Sequence, residues 1–200
     1  MSGDAASSKT YGDKADEYSS KTKIKNLKYG KYYIYEVKAP NNYDLSEQEG
    51  YHKQAPGSSK LTGDWVYLGT QELKTGMKAN ITFTAKNKAL AALQIIKKDK
   101  TKGIELSGGQ FKLYAVLNNG TKGWVSGDAA ADKTYGDTGT EYTSSTKIEK
   151  LKYGTYYIYE TKAPDGYDIT KQDGYHKEAE GSSSLSGDWV YLGTQKVDEN

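Results

Sequence analysis

The sequence predicts an all-β protein, an antiparallel β-sandwich carried as a tandem repeat. Three observations predict it. Short runs rich in Tyr, Ile and Val recur between Gly-containing turn signals, as sandwich strands do. Tyr is frequent at 19, beside 22 Gly and only 2 Phe and 2 Met, which suits sheets with one face in water. Thirdly, Ser2 to Gln71 matches Ser126 to Gln195 at 49 of 70 positions, without gaps, at a constant offset of 124, so the chain is a repeated module. Met77 to Val125 occurs once, and the repeat is therefore cut out of phase.

Taken in order, "TYYIYE" with its earlier copy "KYYIYE" reads as a strand, and "TKIEKL" before it as a hairpin partner joined through "KYG". "DWVYLGT" (Asp188 to Thr194) and "ANITFTAKN" (Ala79 to Asn87) add strands, as do "LQIIKKD" (Leu93 to Asp99) and "QFKLYAVL" (Gln110 to Leu117). No helix is expected, although the Ala/Leu content of Lys88 to Ile96 could carry one turn. With 28 basic against 26 acidic residues and no basic stripe, neither nucleic acid nor a membrane surface is the expected partner. The absence of Cys excludes disulfides and thiolate chemistry. No stretch has the length of a transmembrane helix. The start, "MSGDAASSKTYGD", has no apolar signal region, so if the parent is secreted the chain is expected to be an excised piece of it.

One residue in the repeated strand is costly. Alternation puts Tyr156, Ile158 and Glu160 on one face, and a core-facing carboxylate without a partner costs several kcal/mol. Glu36 ends the earlier copy in the same way.

The segments "IIKKDKTKGIELSGGQFKLY", "LKYGTYYIYETKAPDGYD" and "ITFTAKN" resemble the opening strand, glutamate box and closing strand of Cna B-type domains. Those domains build stalks of cell-wall-anchored adhesins and pilins in Gram-positive bacteria. The resemblance implies an Ig-like, prealbumin-like sandwich whose first-strand Lys is joined to a last-strand Asn or Asp by an isopeptide bond that a Glu promotes. Carried onto this sequence, Lys97 and Asn87 form the bond, with Glu160 and Glu36 as promoters. It further implies a structural module, not a turnover enzyme, with no cofactor, in an extracellular, cell-wall-anchored surface protein whose neighbouring modules are its partners. Facing agrees: Leu93, Ile95 and Lys97 share one side of the first strand, with Lys98 outward, and Ile81, Phe83, Ala85 and Asn87 share one side of the last. A lysine amine attacks only when neutral, and burial favours that form. A protonated Glu could polarise the Asn carbonyl and pass a proton to departing ammonia, with amine and amide held in contact.

The modules divide as 1–91, lacking its opening strands, and 92–200, lacking its closing strand. The second holds Lys97 and Glu160, the first Glu36 and Asn87, so neither holds a complete triad. The resemblance implies that the Asn87 and Lys97 strands are parallel neighbours, and a parallel crossover needs about a dozen residues, more than the nine between them. The expected outcome is strand exchange with another copy of the chain, or an unlinked Lys97. Four features carry weaker readings. His52 and His176 recur in "GYHK" as surface loop residues, not metal ligands. "YGDTGTE" and "DGYD" lack calcium-loop spacing. Asn80 opens an N-I-T sequon. The insert of about 169–187 has no assigned role. A carbohydrate- or host-ligand-binding module using exposed Tyr with Trp65 and Trp189 is the rival reading; a paired-carboxylate glycosidase is a weaker one.

Overall fold

The computed structural model describes residues 1–77 and 81–198; the sequon residue Asn80 lies outside them. Regular structure there is strand, apart from single 3-10 turns at Ser58–Lys60, Ile169–Lys171 and Ser182–Ser184. In chain order the strands are β1 (Gly30–Glu36), β2 (Tyr43–Asp44), β3 (Val66–Leu73), β4 (Lys88–Ala89), β5 (Ala91–Gln94), β6 (Gln110–Leu117), β7 (Lys122–Ser126), β8 (Thr134–Gly136), β9 (Tyr142–Thr143), β10 (Lys147–Leu151), β11 (Gly154–Lys162) and β12 (Val190–Val197). Every pairing is antiparallel. The all-β expectation holds. Two compact units result, Met1–Ala39 with Gln48–Lys86, and Pro40–Glu47 with Asn87–Asn200; residues 87–91 thus group with the second unit.

In the second unit a six-stranded sheet runs β12-β11-β6-β7-β8, with β9 also on β6, while β5 pairs with β10. Alternation on β6 sends Phe111, Leu113, Ala115 and Leu117 inward, all buried. Leu113, Ala115, Leu117 and Tyr156 pack with Ile148 and Leu151 of β10 and with Leu93 of β5 in one core. Each such large side chain contributes about 1.5–3 kcal/mol on leaving water.

In the first unit β1 pairs with β3 from Gly30↔Leu73 to Glu36↔Val66, with a bulge at Ile34/Tyr35. The β11–β12 register, Gly154↔Val197 to Glu160↔Val190 with its bulge at Ile158/Tyr159, is the same. Even the tight turns coincide. Gly50 and Gly174 have φ of 93° and 89°, and a Cβ on either would lie 2.3 Å from a carbonyl oxygen, that of Tyr67 or Tyr191.

Three local expectations are corrected. β10 and β11 do not form a hairpin, because they belong to different sheets. Ile148 and Leu151 both reach the core at a spacing of three, which strict alternation forbids. The β10 register accordingly breaks between them, at Ile148/Leu151, and Lys150 takes φ 58° as the chain leaves for the other sheet. Lys88 to Ile96 forms β4 and β5 instead of a helical turn, since pairing with β2 and β10 outweighs Ala/Leu propensity. Finally, residues 81–87 form no strand. Ile81 and Ala85 are exposed and Phe83 is half-buried, its ring facing Gly69. A strand exists only through a ladder, and no described strand pairs with this segment.

Candidate functional site

Glu160 lies between Val190 of β12 and Phe111 of β6 and is completely buried. Its expected partner is there. Lys97 Nζ lies 2.6 Å from Glu160 Oε2, with the lysine side chain 16% exposed and the glutamate side chain 0%. Alternation from 91 to 98 is kept, with Leu93, Ile95 and Lys97 half-buried and Gln94, Ile96 and Lys98 exposed. The Lys97 backbone is held on both sides: its N–H donates to Ser144 Oγ at 3.1 Å, and its carbonyl accepts from Leu106 N at 2.8 Å.

A third residue completes the site. Lys97 Nζ donates to Gln172 Oε1 at 2.5 Å, so the lysine head joins a buried carboxylate to a side-chain amide. Glu160 Oε1, by contrast, is buried without a hydrogen-bond partner among the described residues. Leaving such an oxygen unsatisfied costs about 1–3 kcal/mol or more, a cost seen where structure serves chemistry. Gln172 escaped the sequence reading, although a signal existed. Among positions 169–173, it alone is identical to its counterpart 124 residues earlier, Gln48.

The insert that delivers Gln172 has a structural role. Asp168 caps its first turn by accepting from Thr170 N. Further on, Tyr159 Oη donates to Glu180 O at 2.6 Å and Trp124 Nε1 to Ser184 Oγ at 2.7 Å. Trp124, Tyr159 and Trp189 form a second buried cluster against Ala179 and Leu185 of this loop. The loop thus dries the outer face of the large sheet as the core dries the inner.

The other candidates lie elsewhere. Glu36 ends β1 in the first unit, half-buried opposite Val66. Asn87, half-buried, stands just before β4, and the amide at Lys97 is that of Gln172. Trp65 and Trp189 are buried at 5% and 7%, which removes them from any exposed aromatic platform. His176 stacks between Tyr175 and Trp189, at centroid distances of 4.1 and 5.0 Å, and its Nε2 meets Gly187 O at 3.0 Å. His52 repeats these contacts with Tyr51, Trp65 and Gly63. Among the described residues no three His, Asp or Glu gather as a metal site, and no helix is long and apolar enough to cross a membrane.

A two-layer antiparallel sandwich with a core-facing Lys–Glu pair is a pattern that comparison with known families can place. The sequence profile of the SpaA prealbumin-like fold domain matches residues 4–53 and 91–180, more than half of the chain. The protein belongs to this family. A solved structure, the crystal structure of a group B streptococcus pilus 2b backbone protein, is similar at 22% identity, with a TM-score of 0.36, over 62% of this chain and 42% of that one. No curated protein matches the chain.

Proposed function

We propose that this chain is a structural stalk or spacer module of a Gram-positive surface protein of the adhesin or pilus type, extracellular and anchored through its parent to the cell wall. The observation that carries this reading is the buried Lys97–Glu160 pair in a member of the SpaA prealbumin-like family. A module that spaces and stiffens needs a staple, and a chain without Cys cannot use a disulfide. An isopeptide bond from Lys97 would be that staple, limiting extension and unfolded-chain entropy as a disulfide does. Glu160 would take the proton from the amine and return it to departing ammonia, once and without turnover. Asn87 of another copy is the proposed acceptor, its strand completing a sheet that lacks one, with Glu36 serving the corresponding place in the first module.

Denaturing electrophoresis and intact mass test this. A boiling-resistant ladder, with roughly 17 Da lost per bond as ammonia, is expected. Lys97→Ala and Glu160→Ala should abolish both signals. A single monomer band of full mass under all conditions would overturn the staple.

A further inference from the structure

We infer that Gln172 is an acceptor for Lys97 within the same chain, and that the two side chains can join in an intramolecular ε-lysyl-γ-glutamyl bond. The inference rests on the Lys97–Glu160 chemistry proposed above but names a different acceptor.

Three observations carry it. First, Lys97 Nζ is 2.5 Å from Gln172 Oε1. With a C=O bond of about 1.23 Å, that puts the amide carbon roughly 3–3.7 Å from the amine, so a small turn of the deprotonated amine out of its hydrogen bond and over the amide plane brings it to the roughly 3–3.5 Å from which attack occurs. Second, Glu160 touches the same amine at 2.6 Å through Oε2 and keeps Oε1 buried, with no hydrogen-bond partner among the described residues, so one carboxylate has an oxygen for the amine and another for a leaving group. Third, the loop fixes the backbone from which the amide projects. Gln172 N donates to Ile169 O at 3.3 Å and Tyr175 N to Gln172 O at 3.2 Å. Gln172 is also half-buried, which reduces competition from water for the amide carbon.

The step balances as a transamidation. The Lys97 ammonium gives a proton to Glu160, and the neutral amine attacks Cδ of Gln172. The Nζ–Cδ bond forms, an N–H proton moves by way of the glutamate to the amide nitrogen, and the Cδ–Nε2 bond breaks. One ammonia leaves, and no oxidant or cofactor takes part. A lysine forms one such bond, so chains closed through Gln172 are withdrawn from exchange with the Asn87 strand of another copy.

Intact mass and peptide mapping of the purified full chain decide it. The expected result is monomer lighter by roughly 17 Da, one ammonia per transamidation, with a branched peptide joining Lys97 to Gln172. In the monomer band, Gln172→Ala and the shape-conserving Gln172→Met should both restore full mass, whereas Asn87→Ala, which removes the acceptor proposed for the ladder, should leave the monomer's deficit and its Lys97–Gln172 branched peptide in place. Full-mass wild-type monomer would overturn the inference. So would a deficit that survives both Gln172 variants and vanishes with Asn87→Ala, and that result would leave the proposed Lys97–Asn87 staple standing.

Discussion

β1 and β11 are nearly the same strand, GKYYIYE and GTYYIYE, yet they have different surroundings. β11 is flanked by β12 and β6, whereas among the described residues β1 pairs with β3 alone. Tyr156 is therefore fully buried and its counterpart Tyr32 only partly so. Contacts made within each copy survive this difference. Tyr32 donates to Lys28 O at 2.7 Å, as Tyr156 does to Lys152 O at 2.6 Å. Tyr11 meets Tyr32 at 2.8 Å, as Tyr135 meets Tyr156 at 3.2 Å. The lesson is that register, bulge and hydroxyl partners are local properties of the repeat, whereas burial is supplied by β6 and by the β5–β10 sheet behind it.

The largest effect expected from breaking this comparison is at the tyrosine pair. Tyr156→Ala should cost about 3–5 kcal/mol, as for other large aromatic core truncations. Tyr32→Ala should cost about 1 kcal/mol, because water already reaches its site. Urea unfolding of the two variants measures both, and equal losses would show that β1 is covered in solution.

A smaller and equal effect is expected where the copies agree. Lys9 is buried, with Nζ donating to the carbonyls of Asp4 at 2.6 Å, Ala5 at 3.3 Å and Ser7 at 2.5 Å. Lys133 is buried likewise, donating to Asp128 at 2.8 Å, Ala129 at 3.1 Å and also Ala131. These loops close on themselves, so Lys9→Met and Lys133→Met should each destabilise their own unit by about 1–3 kcal/mol, the cost of stranding carbonyls bonded to a charge. Amide exchange within residues 4–9 and 128–133 would read this out. A loss confined to the Lys133 variant would show that the cage depends on the surrounding sheet.

The smallest effect lies in the alkaline titration of Tyr18 and Tyr142, which donate to the equivalent carbonyls of Gly3 and Gly127. Burial pushes the Tyr142 phenol up to about 12. Tyr18 is also raised, by burial and then by Asp16. Because the folded phenol holds its proton longer than the unfolded one, the contribution of Tyr142 is whole below about pH 10 and falls as pH rises toward 12. Tyrosinate absorbance should change less near pH 12 in Tyr142→Phe than in wild type. Titration of Tyr142 at an ordinary phenol value in the folded protein would contradict its burial.

Much of this was legible in the sequence because it follows from alternation and repetition. β6 spans Gln110–Leu117, as read, whereas the strand expected over Leu93 to Asp99 ends at Gln94 with β5; the inward series Leu93, Ile95, Lys97 nevertheless continues, because the chain stays extended enough past β5 to keep period-two alternation. The strong propensity of YYIYE likewise fixed a strand in both copies. Tertiary structure alone decided which strands share a sheet. Placing β10 opposite β11's sheet depended on two apolar residues at a spacing that alternation cannot satisfy, and leaving residues 81–87 out of any strand depended on the lack of a ladder. Gln172 belongs to the same class. Its identity within a variable stretch could be read, but its meeting with Lys97 brings together residues 75 apart. That meeting depends on a loop folding over an aromatic cluster, and no local pattern encodes such a contact.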